Sequence, residues 1–256
     1  MTPAIFIGHG SPMNAIESNR YTDAWERIGR ELARPKAILS ISAHWYIGET
    51  GVTVSTAPRT IHDFGGFPQG LYAVQYPAPG DPRLAQRVRD LLAPVEVTLD
   101  DTWGLDHGTW AVLKHMYPKA DIPVVQLSID ATKSAAYHVE LAARLAPLRD
   151  EGVLILGSGN VVHNLRAYAW GVGGAEPYDW ATRFEAEVRG LVATGDARSL
   201  AGYEKLGTDA LLAAPTPEHY LPLLYVAGTQ QSSDRVHFPV EGIEGGSISM
   251  LAAQIG

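Results

Sequence analysis

The chain has no cysteine, which excludes a disulfide framework, a thiolate metal site and a cysteine nucleophile. It also lacks any run of about eighteen apolar residues, so no membrane-spanning helix is predicted. Basic residues are fewer than acidic ones, 20 against 28, and the net charge of -8 argues against a nucleic acid or an anionic membrane as a partner. Because the N-terminus also lacks the basic and apolar segments of a signal peptide, we expect a cytoplasmic protein.

What the sequence does contain is an alternation of apolar strand-like runs and amphipathic helical runs over 256 residues. This alternation predicts an α/β fold with a central, mostly parallel or mixed sheet flanked by helices on both faces. No linker, low-complexity tract or repeat interrupts it, so residues 1–256 are expected to form a single domain. The predicted strands are Ala4–Ile7, Ala37–Ser42, Gly51–Ser55, Pro94–Leu99, Pro123–Ile129, Gly152–Leu156, Val236–Val240 and Ser247–Ala252.

Helical spacing of apolar residues predicts helices between these strands. The predicted helices are Asn19–Leu32, Asp81–Leu92, a short helix ending at Tyr117, Thr132–Leu148, a helix that carries His163, Asp179–Ala193 and Thr216–Val226. Residues 61–80 form a loop rich in glycine, proline and aromatic residues. A loop of about twenty residues in a compact domain is usually functional or mobile.

Histidines follow three of the predicted strands. His9 stands between two glycines after the first strand, His44 follows the second, and the most apolar strand leads through Gly157–Asn160 to His163. Ligands of open α/β sheets bind beyond the carboxyl ends of the strands, so one edge of the sheet is expected to collect these imidazoles. A single histidine is more often a hydrogen-bonded structural residue, and a purely structural role for the set remains an alternative.

Two further histidines are candidates for the same site. His219 lies in the first turn of a predicted helix, where the backbone can direct it inward, and His107 is a candidate hydrogen-bond donor in the pocket. His62, in the aromatic loop, could face a substrate. Without thiolates, a metal would be held by histidines and carboxylates, and Asp100, Asp101 and Asp106 could orient the ligands or simply cap loops.

Five motifs together resemble a known family. They occur in the same order as in the DODA-type (4,5-DOPA dioxygenase-like) extradiol ring-opening dioxygenases of the class III, LigB-like superfamily, and the resemblance covers nearly the whole chain. The motifs are Gly8–Met13 (GHGSPM), Ser42–Trp45 (SAHW), Asp106–Trp110 (DHGTW), Gly157–Asn164 (GSGNVVHN) and Thr216–Tyr220 (TPEHY).

The resemblance implies a LigB-like fold and a mononuclear non-haem iron(II) enzyme that cleaves a catechol ring beside its diol. O2 would be the co-substrate and a semialdehyde the product. It also implies that His9, His44 and His219 are metal ligands, that His163 is the acid–base catalyst and close enough to count as a fourth ligand, and that His107 acts in the substrate pocket.

Other interpretations stay open at this point. Three histidines with an open position also suit a zinc-dependent hydrolase, and Zn(II) can replace Fe(II) in a purified protein. A non-enzymatic binding protein could keep the same fold. The sequence leaves undecided which catechol is cleaved, whether Arg59, Lys133 or Arg235 binds a substrate carboxylate, and whether the chain forms a homo-oligomer.

Overall fold

The computed structural model describes residues 1–256 and has an eight-stranded mixed sheet at its centre. The strand order across this sheet is β4-β3-β5-β2-β6-β1-β10-β7, and a separate two-stranded hairpin pairs β8 with β9. The strands are β1 (Ala4–Gly8), β2 (Ala37–Ile47), β3 (Gly51–Thr53), β4 (Thr98–Asp100), β5 (Val124–Asp130), β6 (Val153–Gly159), β7 (Val236–Val240), β8 (Ile243–Glu244), β9 (Ile248–Ser249) and β10 (Ala252–Ile255).

Ten α-helices cover the sheet. They are α1 (Arg20–Glu31), α2 (Gln69–Tyr72), α3 (Pro82–Leu92), α4 (His107–Met116), α5 (Ala135–Leu145), α6 (Pro147–Asp150), α7 (Asp179–Thr194), α8 (Ala197–Ala201), α9 (Thr208–Ala213) and α10 (Leu221–Ala227). Short 3₁₀ helices occupy Pro12–Ala15 and Tyr203–Lys205. None of these helices combines the length and the apolar character that crossing a bilayer would require.

The four strands in the middle of the sheet, β5, β2, β6 and β1, run parallel to one another. The antiparallel pairs lie outside them, where β10 pairs with β1 and β3 pairs with β5. The predicted α/β class with a mixed, mostly parallel centre is therefore confirmed. Because parallel strands end at the same edge, the segments that follow β1, β2 and β6 meet there.

Both faces of the sheet are buried beneath helices. Along β1, Ile5 and Ile7 face a core shared with α1 and α4, whereas Ala4 and Phe6 face the larger core shared with α5, α7 and α10. All four side chains are fully buried, as expected when a parallel strand is covered on both sides.

Several predicted boundaries differ in the structure. No helix carries His163, because residues 160–178 form turns and irregular chain, and His163 instead makes an isolated antiparallel bridge to Ile248. Helix α10 begins at Leu221, later than the Thr216 cap predicted, so His219 precedes the helix. The predicted helix 132–148 divides into α5 and α6, because Ser134 caps α5 and Pro147 opens α6.

Candidate metal centre and active site

Three histidines converge beyond the carboxyl ends of the parallel strands. His9 follows β1, His44 lies near the end of β2, and His219 precedes α10, and one ring nitrogen of each lies within 4.8 Å of the others. The Nε2 atoms of His9 and His44 are 3.2 Å apart. Two nitrogens bound at right angles to one ion, each at about 2.1 Å, would be separated by about 3 Å. The spacing of this pair therefore fits two nitrogens that bind one ion.

The orientation of His9 is fixed by Ser158. The Ser158 hydroxyl donates its proton to the Gly108 carbonyl at 2.5 Å, so its oxygen can only accept from the His9 ring, whose Nδ1 lies 2.9 Å away. His9 must therefore carry its proton on Nδ1, which leaves Nε2 as a lone-pair donor. Burial lowers the pKa of His9 well below its usual value, and the neighbouring His44 lowers it further, so the ring is neutral.

Asp63 connects His44 with His107. Its Oδ2 accepts hydrogen bonds from Nδ1 of His44 at 3.1 Å and from Nδ1 of His107 at 2.9 Å. Its Oδ1 accepts from the His107 backbone N–H at 2.8 Å, which satisfies a free donor at the start of α4. Both rings thus point Nε2 away from the carboxylate. This residue was not identified from the sequence, where only its place beside His62 in a long loop drew attention to the region.

A carboxylate also orients the ring of His219. Its Nδ1 donates to the Glu218 carboxylate at 3.2 Å, which leaves Nε2 free. The backbone approaches β6 closely, since the Asn160 N–H donates to the His219 carbonyl at 2.9 Å. A Cβ atom at Gly159 would overlap that carbonyl, so the glycine allows the approach. The Gly157–Asn160 motif therefore positions His219, in addition to carrying the serine that orients His9.

The protonation of the three rings follows from their surroundings. Burial and the nearby His163 lower the pKa of His219 well below its usual value. For His44 burial is the largest single influence and acts in the same direction, but the hydrogen bond with Asp63 and the charges of Asp106, Asp63 and Glu218 together outweigh it and raise the pKa. The Asp63 carboxyl is itself buried, yet its hydrogen bonds to His107 and His44 lower its pKa, so it remains ionised.

Two other clusters of histidine and carboxylate occur, and hydrogen bonds explain both. One joins His44 and His107 through Asp63, and the other joins His219 to Glu218 with His163 nearby. In each cluster the carboxylate already accepts the Nδ1 proton of a ring. Only the cluster of His9, His44 and His219 consists of imidazole nitrogens alone, and three imidazoles are a donor set that suits iron or zinc.

His163 lies beside this cluster. Its ring stacks on His219 with centroids 3.5 Å apart and an angle of 6° between the planes. Its backbone N–H donates to the Ala213 carbonyl at 2.7 Å, and its strand-like pairing with Ile248 fixes the backbone. Burial lowers the pKa of His163 to about 4, so the ring is neutral near pH 7.

A partly open cavity of about 300 Å³ lies directly beside the histidines. Its size suits a single substituted aromatic ring. Four histidines form its polar side, and apolar and aromatic side chains form much of the rest. The lining residues are Gly10, Ser11, Pro12, His44, Phe67, His107, His163, Leu165, Tyr168, Trp170, His219, Glu244 and Ile248.

Several other candidates from the sequence lie outside this cavity. The His62 ring is hydrogen-bonded to the Val74 carbonyl at 2.9 Å and packs against Trp110, away from the lining. Asp106 caps α4 through the Thr109 N–H, and Asp100 caps the turn that follows it. Neither carboxylate is hydrogen-bonded to His9, His44 or His219. The basic residues considered for a substrate carboxylate, Arg59, Lys133 and Arg235, do not line the cavity.

Comparison with known proteins gives consistent results. Residues 3–249 match the family model for the catalytic LigB subunit of aromatic ring-opening dioxygenases. The 4,5-DOPA dioxygenase extradiol of Escherichia coli (strain K12) is 56% identical over 99% of this chain and 94% of that protein. The protein of the same name from Beta vulgaris is 41% identical over 93% and 91%. A crystal structure of an uncharacterized protein from Escherichia coli K12 superposes with a TM-score of 0.88, at 49% identity and over 100% of both chains.

Proposed function

Because the chain belongs to the LigB family and is an extradiol dioxygenase, we propose that it opens the ring of a DOPA-like catechol at a mononuclear metal held by histidines. The observation that carries this proposal is the convergence of three imidazole nitrogens beside a ring-sized cavity. Both atoms of O2 would enter the product, one as the oxygen of a new aldehyde and one in a new carboxylate. The product is then a semialdehyde.

We infer that His9, His44 and His219 are the metal ligands. In support, each has its Nδ1 hydrogen-bonded to a partner, which is how ligand histidines are usually oriented. Fe(II) is the working metal in this proposal, and Zn(II) can take its place during purification. When bound, the ion would lower the pKa of the diol hydroxyls and supply the redox chemistry for O2.

His163 is proposed as the acid–base residue. A neutral imidazole that lines the cavity can take a proton from a diol hydroxyl and return it as the ring opens. A fourth-ligand role for His163 was also predicted, but its nitrogens do not belong to the group formed by His9, His44 and His219. We therefore assign it the proton-transfer role.

His107 is proposed to bind the substrate diol. Since its Nδ1–H donates to Asp63, the remaining nitrogen is an acceptor for a hydroxyl proton. Its ring centroid is 3.9 Å from that of His44, so it lies next to the metal ligands. Phe67 and Trp170 would contact the faces and edges of the substrate ring.

The experiment that tests the proposal is oxygen uptake. Protein reconstituted anaerobically with Fe(II) would receive L-DOPA and then a panel of catechols, while a spectrophotometer follows the yellow semialdehyde. We expect one O2 consumed per catechol and a new visible band. No uptake by protein shown to hold iron would refute the proposal. A hydrolase would act equally well without O2, and a binding protein would turn over no diol.

The role of His163 has its own test. His163→Ala should lower kcat by roughly 100- to 10,000-fold, the usual contribution of a general acid–base residue. Its iron content should stay at the wild-type level, because the ligand set is intact. His237→Ala, at an exposed histidine of β7, is the matched control and should change neither quantity. Loss of iron together with activity would instead make His163 a ligand.

We propose one catalytic domain over residues 1–256. The cytoplasmic location and the possible homo-oligomer stay predictions from the sequence.

A further inference from the structure

Glu244 is the one charged side chain, apart from histidines, among the residues that line the catechol cavity. The cavity contains no lysine or arginine, so a substrate carboxylate would find no cation in it. Apart from the histidines and Ser11, the other side chains that line the cavity are apolar or aromatic, so an acidic group among them requires an explanation.

The strand register places Glu244 on the same face as His163. Ile248 pairs with Glu244 on one side, in the β8–β9 hairpin, and with His163 on the other. Side chains of directly opposed residues point to the same face of a sheet, and all three of these line the cavity. Two strand spacings separate the Cα atoms of His163 and Glu244 by about 10 Å. Glu244 therefore lines the same cavity as the histidines but lies at some distance from them.

The backbone holds Glu244 at this position. The two residues that follow, Gly245 and Gly246, have φ of +53° and +79°, and the Ser247 N–H donates back to the Glu244 carbonyl at 3.1 Å. A Cβ at Gly245 would overlap the ring of Tyr168, which also lines the cavity. Only glycine allows this tight turn beneath the aromatic ring.

The Glu244 carboxylate has no partner of its own. The carboxylate accepts no hydrogen bond from the chain. Burial raises the pKa of Glu244, while the charge of Arg20 lowers it. Glu244 also lines the adjoining cavity, where Arg20 and Glu17 lie, but the Arg20 guanidinium is hydrogen-bonded to the Tyr21 hydroxyl at 2.5 Å and not to Glu244. A partly buried carboxylate without a partner is stabilised by a cationic ligand that restores the lost solvation.

We propose that Glu244 determines specificity by binding the ammonium group of a catechol with an aminoalkyl side chain. The diol of such a substrate lies at one end of the molecule, next to the histidines, and the ammonium lies at the other. This inference rests on the proposed function, since it assigns a specificity-determining residue to the same site.

The test compares three catechols that differ only at the end of the side chain. Dopamine carries an ammonium, 4-propylcatechol is its uncharged counterpart, and 3,4-dihydroxyphenylpropionate carries a carboxylate. For Glu244→Gln, kcat/KM for dopamine should fall about tenfold, the lower range for a hydrogen bond to a charged group in a partly exposed setting. The value for 4-propylcatechol should stay within about twofold of wild type, since the carboxylate–ammonium contact is absent there.

The control is Glu17→Gln. Glu17 lines the adjoining cavity but not the catechol cavity, so the loss of its charge should leave the ratio of the two substrates unchanged. A second variant, Glu244→Lys, should reverse the preference toward the carboxylate substrate. It keeps the inference testable if the glutamine variant is poorly folded.

The outcomes separate the two proposals. If Glu244→Gln lowers kcat/KM for all three substrates equally, or for none, the inference is wrong and Glu244 has only a structural role. If no catechol supports O2 uptake by the iron-loaded wild-type protein, the proposed function itself fails, and this inference fails with it. If the wild type turns over catechols but the Glu244 variants keep the wild-type ratio of kcat/KM between dopamine and 4-propylcatechol, only the inference is refuted.

Discussion

Replacing Asp63 with asparagine tests how far the metal site depends on a residue that binds no metal. Oδ2 of Asp63 accepts protons from both His44 and His107, and Oδ1 accepts the His107 backbone N–H. Asparagine has the same shape, but one of its two terminal atoms becomes a donor. In either orientation that NH2 group faces another N–H donor.

The size of the effect follows from this mismatch. If the NH2 group faces the rings, His44 must either lose its hydrogen bond or move its proton to Nε2, the nitrogen that would bind the metal. A hydrogen bond to a charged acceptor contributes about 1.5–3 kcal/mol. The equivalent loss of metal affinity is about 10- to 100-fold, which is also the usual result of removing the partner of a ligand histidine.

Competition with a chelator would measure the effect, with Zn(II) or with anaerobic Fe(II) at pH 7.5. Asp101→Asn, at an exposed aspartate of the next acidic loop, is the matched control and should bind metal like the wild type. Circular dichroism would verify that both variants are folded. A folded Asp63→Asn protein with an affinity within about twofold of wild type would refute the reasoning, because the expected loss is at least tenfold.

Two further predictions concern neighbouring contacts. Ser158→Ala removes the acceptor of the His9 Nδ1 proton and the donor to the Gly108 carbonyl, so we expect a loss of about 1–3 kcal/mol in the free energy of unfolding and weaker metal binding. Asp234→Asn breaks a pair with the fully buried Arg149 and should lower that free energy by about 3 kcal/mol at pH 7. Although burial acts in the opposite direction, the hydrogen bond from Arg149 lowers the pKa of Asp234. The stabilisation from this pair is therefore fully present above about pH 4, the pKa of an aspartate in the unfolded chain. The difference in the free energy of unfolding between wild type and variant, measured by urea denaturation, should shrink as the pH falls through the pKa of Asp234 in the folded protein.

The position of two of the three converging histidines could be predicted because it depends on strand direction alone. Once the chain is known to alternate strands and helices, residues after parallel strands must meet at one edge, and this places His9 and His44 together. His219 was a further candidate from its place at a predicted helix start, the resemblance to a family implied that it is the third ligand, and the structure brings it within 4.8 Å of both. Its nearness required the close contact at Gly159, which no local pattern specifies.

The surroundings of these histidines could not be predicted, because they come from distant parts of the chain. Asp63 and His107 are 44 residues apart, and Ser158 and His9 are 149 residues apart. The predicted helix around His163 was wrong because pairing with Ile248, a tertiary contact, determines that segment. Helical spacing describes only local preference, and tertiary contacts override it.

The carboxylates beside these histidines change the charge balance that three imidazoles alone would give. Three neutral imidazoles offer no negative charge to a divalent ion, and a catecholate would then be the nearest counter-charge. In the structure, however, Asp63 and Glu218 each accept the Nδ1 proton of one of the proposed ligand histidines. Their negative charge reaches the site through His44 and His219 and makes these rings stronger donors. The negative charge is thus supplied by carboxylates that are hydrogen-bonded to Nδ1 of these rings, on the side away from the point where the Nε2 atoms converge. On the cavity side, the substrate would meet His107 and His163, the histidines proposed to accept its protons. Substitutions of the carboxylates should therefore change metal affinity, and substitutions of these two histidines should change diol binding or turnover.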